Sequence, residues 1–257
     1  QYFQNDSTTT ITTYLYDKER PYNLVFKTVR PKAQDLITQK YYYSNNQLPG
    51  NKGVTTTDHG LIGCETHKTT VIQQETRRNN KLLSSSLTYF KTVNSTQKVP
   101  KEKYYAGADG VMEKREEFPL YDLYGNPVEI VKDGHSSMVR LWSYGGMYPV
   151  VEIKNVTYQQ VVNVLGALAA TLPNNSLPDQ TWSVLNNTLR SSLDLENAHV
   201  LTYRYKPLVG LIEMVDARGM STFYNYDAYG RLKEAYIMEN GSKKLLQENS
   251  YKYYDEK

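Results

Sequence analysis

The feature that most constrains this chain is a five-residue pattern that occurs twice, each time before a β-prone run. "YDLYGNPVEIVKDG" (121–134) and "YDAYGRLKEAYIMENG" (226–241) share Tyr-Asp-x-Tyr-Gly and end in an acid or amide before a glycine. The aspartate can accept a backbone N–H hydrogen bond from the turn that follows, and Gly125 and Gly230 can adopt positive φ at its end. A hairpin alone leaves an open edge and an uncovered face, so the repeat predicts an antiparallel β-hairpin array.

Weaker copies extend the pattern. "DGHSSMVRLWSYGG" (133–146) is similar to "DARGMSTFYNYDAYG" (216–230), since both run from an acidic turn through a strand to an aromatic residue and a glycine turn. "YYDEK" (253–257) is a partial copy, and "YLYDKE" (14–19) is a decayed one. The tyrosine before each aspartate is expected to be the last inward side chain of its strand.

The remaining sequence also alternates with the period of strands. The chain has 24 tyrosines against 5 phenylalanines and 2 tryptophans, and tyrosine suits broad sheet faces that stay partly wet. Asn79 and Asn80 in "RRNN" tolerate the positive φ of a tight hairpin turn. Strands are predicted over 10–17, 23–29, 35–44 and 199–216, and a hairpin over 66–93.

One region has helical periodicity instead. Apolar residues recur at three- and four-residue steps over 157–172, after a capping Thr157, and again over 178–193, with Pro178 near the first turn. These segments predict a two-helix insertion packed on the sheet. The predicted organisation is a divergent β region (1–115), a repeat region (116–155), the insertion (156–198) and a second repeat region (199–257).

Composition excludes several classes of protein. The net charge is only +3, with acids and bases interspersed, so no basic stripe predicts nucleic-acid binding. The longest apolar run, 164–170, is too short to cross a membrane, and no membrane insertion is expected. A single cysteine, Cys64, excludes an intramolecular disulfide. Because the sequence opens with Gln1 and no leader, we expect a processed chain or an excised fragment.

The repeats resemble the YD repeat of RHS-type proteins, in a pattern closest to large RHS-repeat proteins of Bacteroides and relatives. The resemblance is specific over 119–157 and 202–254. It implies a repetitive antiparallel β array within a longer secreted or surface-associated polypeptide. Some members wind into a shell around a C-terminal toxin, some mediate contact, and carbohydrate binding has been proposed for YD repeats. This chain has two clear repeats and lacks the core with self-cleaving aspartates, so encapsulation by it alone is not expected.

Few residues point to chemistry. His59, Cys64, Glu65 and His67 lie within one short stretch, but their spacing matches no zinc module, and a polar loop with an incidental cysteine is favoured over a metal site or a nucleophile–base pair. Asp122 and Asp227 recur in the repeat, which favours a turn role. No catalytic, cofactor-binding or metal-binding residue is therefore assigned, and no cofactor is expected.

The candidate recognition residues are aromatic. Trp142, Tyr144 and Tyr148 in "LWSYGGMYP" could stack on sugar rings, with Trp142 and Tyr144 on one strand face, or could be core. The sequence predicts a non-enzymatic structural or adhesive scaffold at the cell surface or outside the cell. Its expected partners are carbohydrate or another surface component, and the remainder of a longer RHS polypeptide. The alternatives are part of a toxin-enclosing shell and a carbohydrate-active enzyme domain.

Overall fold

A computed structural model describes residues 10–31, 35–54, 58–174 and 177–251. Within these ranges the chain forms fifteen strands and three α-helices. Strands that follow one another within a unit pair antiparallel. The predicted mainly β hairpin array with a small helical insertion is confirmed. The partial repeat at 253–257 lies outside the described residues.

The chain divides into two compact units, and the first comprises residues 1–118 and 132–134. The predicted hairpin over 66–93 is confirmed, and it turns at Asn79 (φ 48°) and Asn80 (φ 71°), as tight hairpins require. A small apolar core contains Leu61, Ile72, Leu87 and Met112. The strands are β1 (Thr10–Tyr16), β2 (Leu24–Pro31), β3 (Ile37–Tyr43), β4 (Val71–Arg78), β5 (Lys81–Val93), β6 (Gln97–Ala106) and β7 (Glu113–Tyr121), whose last three residues belong to the second unit.

The second unit comprises residues 119–131 and 135–257. It contains the repeat at 226–241 and all but residues 132–134 of the repeat at 121–134. The copy at 226–241 closes on Asn240 (φ 50°) and Gly241 (φ 77°), which form the two-residue turn between its strands. The strands are β8 (Pro127–Lys132), whose last residue belongs to the first unit, β9 (Ser136–Ser143), β10 (Tyr148–Lys154), β11 (His199–Lys206), β12 (Gly210–Val215), β13 (Ser221–Tyr226), β14 (Leu232–Glu239) and β15 (Ser242–Glu248).

The helical insertion lies between β10 and β11. It consists of α1 (Tyr158–Leu165), α2 (Ala167–Thr171) and α3 (Asp179–Ser191). Thr157 caps α1 as predicted, in a reciprocal capping box with Gln160. The prediction of one continuous helix over 157–172 is wrong, because Gly166 adopts φ 54° and ψ −130° and ends α1. Glycine reaches this conformation because it has no Cβ.

The insertion is anchored to the sheet by buried apolar and polar contacts. Leu185 and Leu189 of α3 are fully buried with Val151, Ile153 and Val200 of the strands. The Arg190 guanidinium donates to the carbonyl oxygens of Val200 (3.0 Å) and Val215 (3.1 Å). These bonds give two strand carbonyl groups a charged donor, and they tie α3 to the sheet.

The predicted four-part division of the chain stays a prediction. No helix among the described residues is both long enough and apolar enough to cross a membrane.

Candidate functional site

The recurring aspartates form one turn three times. Asp227 Oδ1 accepts the backbone N–H groups of Tyr229 and Arg231, both at 2.9 Å. Asp122 does the same for the second and fourth residues after it, at 2.9 and 2.8 Å, and so does Asp216, at 2.9 Å for each. The glycine of each turn has positive φ: Gly125 84°, Gly219 83° and Gly230 74°. The turn chemistry inferred from the repeat is confirmed, and "DARG" (216–219) is a further copy.

The tyrosines before the aspartates are partly buried, as expected. Burial raises the pKa of Tyr121 to about 12. The Tyr226 hydroxyl donates to the Leu211 carbonyl oxygen at 2.8 Å. It lies over Gly210, where a Cβ would come within 2.7 Å of Tyr226 Oη. The Tyr226 ring therefore packs against the neighbouring strand, and it requires a glycine at position 210.

Trp142 is the second-last residue of β9, and its indole N–H is hydrogen-bonded. The indole Nε1–H donates to the Pro127 carbonyl oxygen at 3.0 Å. Trp142 lines a mainly apolar cavity of about 170 Å³ between the sheet and α2, in whose lining Asp122 is the charged residue. Tyr121, Tyr158, Ala169 and Leu172 also line this cavity. Sequence reasoning did not find this site, because its walls come from three separated segments that share no motif.

Tyr144 is not on the same strand face as Trp142, and that part of the prediction is wrong. β9 ends at Ser143, and Tyr144 is in the left-handed region (φ 56°) before two glycines of positive φ. This places its hydroxyl 3.2 Å from the Leu177 carbonyl oxygen, and its ring packs against the core beneath the insertion. Burial raises the pKa of Tyr144.

Tyr148 belongs to a group of packed rings. Its ring stacks on Tyr205 with centroids 4.7 Å apart and planes at 20°, and it meets Tyr144 edge-on at 5.5 Å. Such geometries stabilise aromatic pairs beyond their buried area. The structure thus brings Tyr144 and Tyr148 together, while Trp142 faces the cavity. Glycan stacking by these three residues stays a prediction.

The His59 segment is a docked loop. His59 is 2% exposed, and its Nδ1 accepts the Leu61 backbone N–H at 3.2 Å. Burial lowers the pKa of His59. The backbone of the loop meets β5, where the Phe90 N–H donates to the His59 carbonyl oxygen at 2.9 Å. Leu61 is fully buried in the core of the first unit, so this loop covers an apolar cluster.

Cys64 precedes a short 3₁₀ turn (Glu65–His67), and His67 ends it. Cys64 Sγ is 3.4 Å from His67 Nδ1, but the Thr66 hydroxyl is closer to the same nitrogen, at 2.9 Å. Glu65 forms an ion pair with Lys68. Among the described residues, no group of three or more His, Cys, Asp or Glu side chains could hold a metal ion.

The comparisons with known proteins give no family. No protein-family model matches the chain, and no curated protein matches it. Solved structures that resemble the fold include a crystal structure of TcdB2-TccC3-TEV, with 13% identity and a TM-score of 0.43 over 93% of this chain and 12% of that one. Another is of TcdB2-TccC3-Cdc42, with 12% identity and a TM-score of 0.39 over 91% and 12%.

This chain therefore spans only 12% of the length of those chains. A likeness at this identity and TM-score carries no argument about function. The RHS/YD resemblance, the host organism and the compartment stay predictions.

Proposed function

We propose that this chain is a non-enzymatic β-repeat scaffold, a structural or adhesive part of a secreted or cell-surface RHS/YD-repeat protein. The single observation that carries the proposal is the threefold recurrence of one hydrogen-bonded turn, at Asp122, Asp216 and Asp227. An active site needs a unique arrangement, whereas a residue that returns in successive hairpins serves the hairpins.

The charge state of Asp227 supports a turn role over an acid–base role. Its pKa is lowered by the backbone hydrogen bond from Arg231, and the Arg231 side chain lowers it further. A glycosidase general acid needs a raised pKa and a second carboxylate about 5–9.5 Å away. Glu234, on the next strand, also has a lowered pKa because Lys243 and Asn225 bond to it. Both groups suit a scaffold better than a carbohydrate-active enzyme.

Binding to glycans would make the scaffold adhesive, and this is the more specific version of the proposed function. The stacking of Tyr148 on Tyr205 and the hydrogen bond of Tyr144 to Leu177 favour packing roles for those two rings. Trp142 already donates its N–H to Pro127. We therefore rank a structural role above an adhesive one, with the remainder of a longer repeat polypeptide as the first partner.

The alternative role, as part of a toxin-enclosing shell, follows from the sequence resemblance. The complete reading frame discriminates between the two. A secretion signal with further repeats favours the scaffold, whereas an aspartate-containing core followed by a variable toxin domain favours the shell.

Hydrolysis assays test the absence of catalysis directly. The purified chain is incubated with chromogenic glycosides and natural polysaccharides, beside variants of two buried acids, Glu75→Gln and Glu213→Gln, and of exposed Glu239→Gln as the matched control. The proposal predicts no turnover by any of the four proteins. Turnover that either buried-site variant abolishes and the control retains would overturn it.

A further inference from the structure

The cavity beside Trp142 is bounded by both secondary-structure layers of the second unit. Val128 and Leu141 form its floor on β8 and β9 and are 7% and 4% exposed. Ala169 of α2 and Leu172 after it form its roof and are 4% and 2% exposed. The small side chain of Ala169 allows α2 to approach the sheet and still leave space beneath it. This packing leaves about 170 Å³ unfilled.

The walls of the cavity are aromatic. Tyr121, Trp142 and Tyr158 are half-buried and line it from three segments. The indole N–H of Trp142 is bonded to Pro127, which turns the ring's polar edge to the backbone. The Arg140 guanidinium lies 5.9 Å from the centroid of the same ring, so one face of the indole is covered and the other is left for the cavity.

The mouth of the cavity is apolar and open to solvent. Leu120 and Leu123 lie there and are 40% and 52% exposed. Ala170, an exposed residue of α2, also lines it. Exposed large apolar side chains grouped at a concave site mark binding surfaces more often than scattered ones do.

Size and polarity define the ligand. A cavity of about 150 Å³ lined by apolar side chains stays dry and binds benzene, whereas drug-sized ligands occupy about 300–1,000 Å³. Aromatic rings prefer offset or edge-on contact with other rings, and three such rings surround this space. Asp122 also lines the cavity, but its carboxylate is bonded to the Tyr124 and Asn126 backbone N–H groups and to the Asn126 amide. A sugar ring would bring its other hydroxyl groups against Val128, Leu141 and Leu172, whose side chains offer no hydrogen bonds.

We infer that this cavity is a binding site for a small, neutral aromatic molecule of one ring, which enters past Leu120, Leu123 and Ala170 and lies between Trp142 and α2. This assignment goes beyond the scaffold role, because a scaffold needs no ligand. The two proposals are also tested separately, since an aromatic molecule can bind or fail to bind in this cavity whatever the hydrolysis assays show.

The two tryptophans of the chain provide the readout. Each indole N–H gives its own cross-peak in a ¹H–¹⁵N correlation spectrum. Trp142 lines the cavity, whereas Trp182 is a buried residue of α3 and donates to the Tyr203 carbonyl oxygen at 3.1 Å. The Trp142→Phe variant assigns the two peaks.

4-Fluorotoluene, with eight heavy atoms, is titrated as the probe. The expected result is a saturable shift of the Trp142 peak with little change at Trp182, and a Kd on the order of 1 mM or tighter. N-acetylglucosamine in place of 4-fluorotoluene leaves both peaks unchanged. Equal shifts at both tryptophans, or no saturation at the Trp142 peak, would overturn the assignment.

A matched pair of variants on one helix locates the site. Ala170→Phe places a ring in the mouth and is expected to weaken binding at least tenfold. Ala167→Phe adds the same ring to an exposed position of α2 outside the cavity and is expected to bind as the wild type does. If Ala170→Phe does not fold, a larger probe provides the test with the wild-type protein. 4-Fluorobiphenyl is larger than the cavity and should fail to shift the Trp142 peak. Unchanged binding by Ala170→Phe, or a Trp142 shift with the larger probe, contradicts the inference.

Discussion

Asp227 is bonded to Arg231 twice, once through the backbone and once through the side chain. Oδ1 accepts the Arg231 backbone N–H at 2.9 Å, and Oδ2 accepts its side-chain Nε–H at 2.7 Å. Asp122 and Asn126 repeat this arrangement, with bonds of 2.8 and 3.1 Å. The third turn has Met220 at the same place, and only its backbone bonds to Asp216. Two of the three turns thus have a side-chain clamp that the third lacks.

Arginine at position 220 should therefore stabilise the protein. Met220 is 50% exposed, so its replacement removes no core side chain. Met220→Arg supplies the missing donor to Asp216 and is expected to raise the free energy of unfolding by about 0.5 kcal/mol, the value of an exposed ion pair. Urea denaturation measures the change. Met220→Leu, which adds no donor, is the control, and an equal gain in that variant would show that the clamp contributes nothing.

Gly60 and Gly63 form a matched pair in the His59 loop. Both have positive φ, 79° and 71°, but a Cβ on Gly60 would come within 2.2 Å of the Phe90 carbonyl oxygen, whereas no atom lies within 4 Å of one on Gly63. Gly63→Ala should cost about 1 kcal/mol for backbone conformation alone. Gly60→Ala should cost at least about 2 kcal/mol more, because the loop must move off β5. Equal losses in denaturant unfolding would mean that the loop is not docked there.

Stability should fall below neutral pH because of His59. Its folded-state pKa is lowered from 6.5, first by burial, and its Nδ1 accepts a hydrogen bond that an imidazolium cannot accept. The unfolded chain takes up the proton first, so the contribution is complete above about pH 6.5. It is lost as pH falls from there through the lower folded-state pKa.

Thermal unfolding between pH 8 and 5 measures this dependence. His59→Gln should be less stable at pH 8 but should lose less stability on acidification than the wild type. His135→Gln changes an exposed histidine, and this variant should keep the wild-type dependence of the unfolding temperature on pH. A His59→Gln variant with an undiminished slope would assign the pH dependence to other groups.

Arg190 should hold the helical insertion on the sheet. Arg190→Met keeps the aliphatic stem but leaves the carbonyl oxygens of Val200 and Val215 without this donor. The expected loss is about 2–3 kcal/mol, since bonds from a charged donor are stronger than neutral ones. Hydrogen exchange should also accelerate across α3. Arg218→Met, at an exposed turn position, is the control, and unchanged α3 protection in Arg190→Met would contradict the anchoring role.

Local signals in the sequence predicted much of the fold. The period of two, the Asn79–Asn80 turn and the Asp-x-x-Gly turns are set by neighbouring residues, so a pattern of a few positions suffices to predict them. Thr157 predicted the start of α1 for the same reason, while its capping partner Gln160 was found only in the structure. Gly166 was missed because one glycine inside a helical period is compatible with both a continuous and a broken helix.

The site was less predictable because its geometry is not local. Trp142 and Tyr144 are two residues apart, and an extended strand would place both on one face. The strand instead ends at Ser143, since Gly145 and Gly146 follow with positive φ. The cavity depends on how closely α2 approaches β8 and β9, which no spacing in the sequence encodes.

The central claim is that the recurring aspartates serve turns of a scaffold, and denaturant unfolding of Asp216 variants tests it most directly. Asp216→Ala removes the acceptor for the Arg218 and Met220 backbone N–H groups, whereas Asp216→Asn keeps an oxygen there. The account predicts a clear fall in the urea midpoint for alanine, a small one for asparagine, and none for exposed Asp194→Ala. An Asp216→Ala midpoint equal to that of the wild type would contradict the claim.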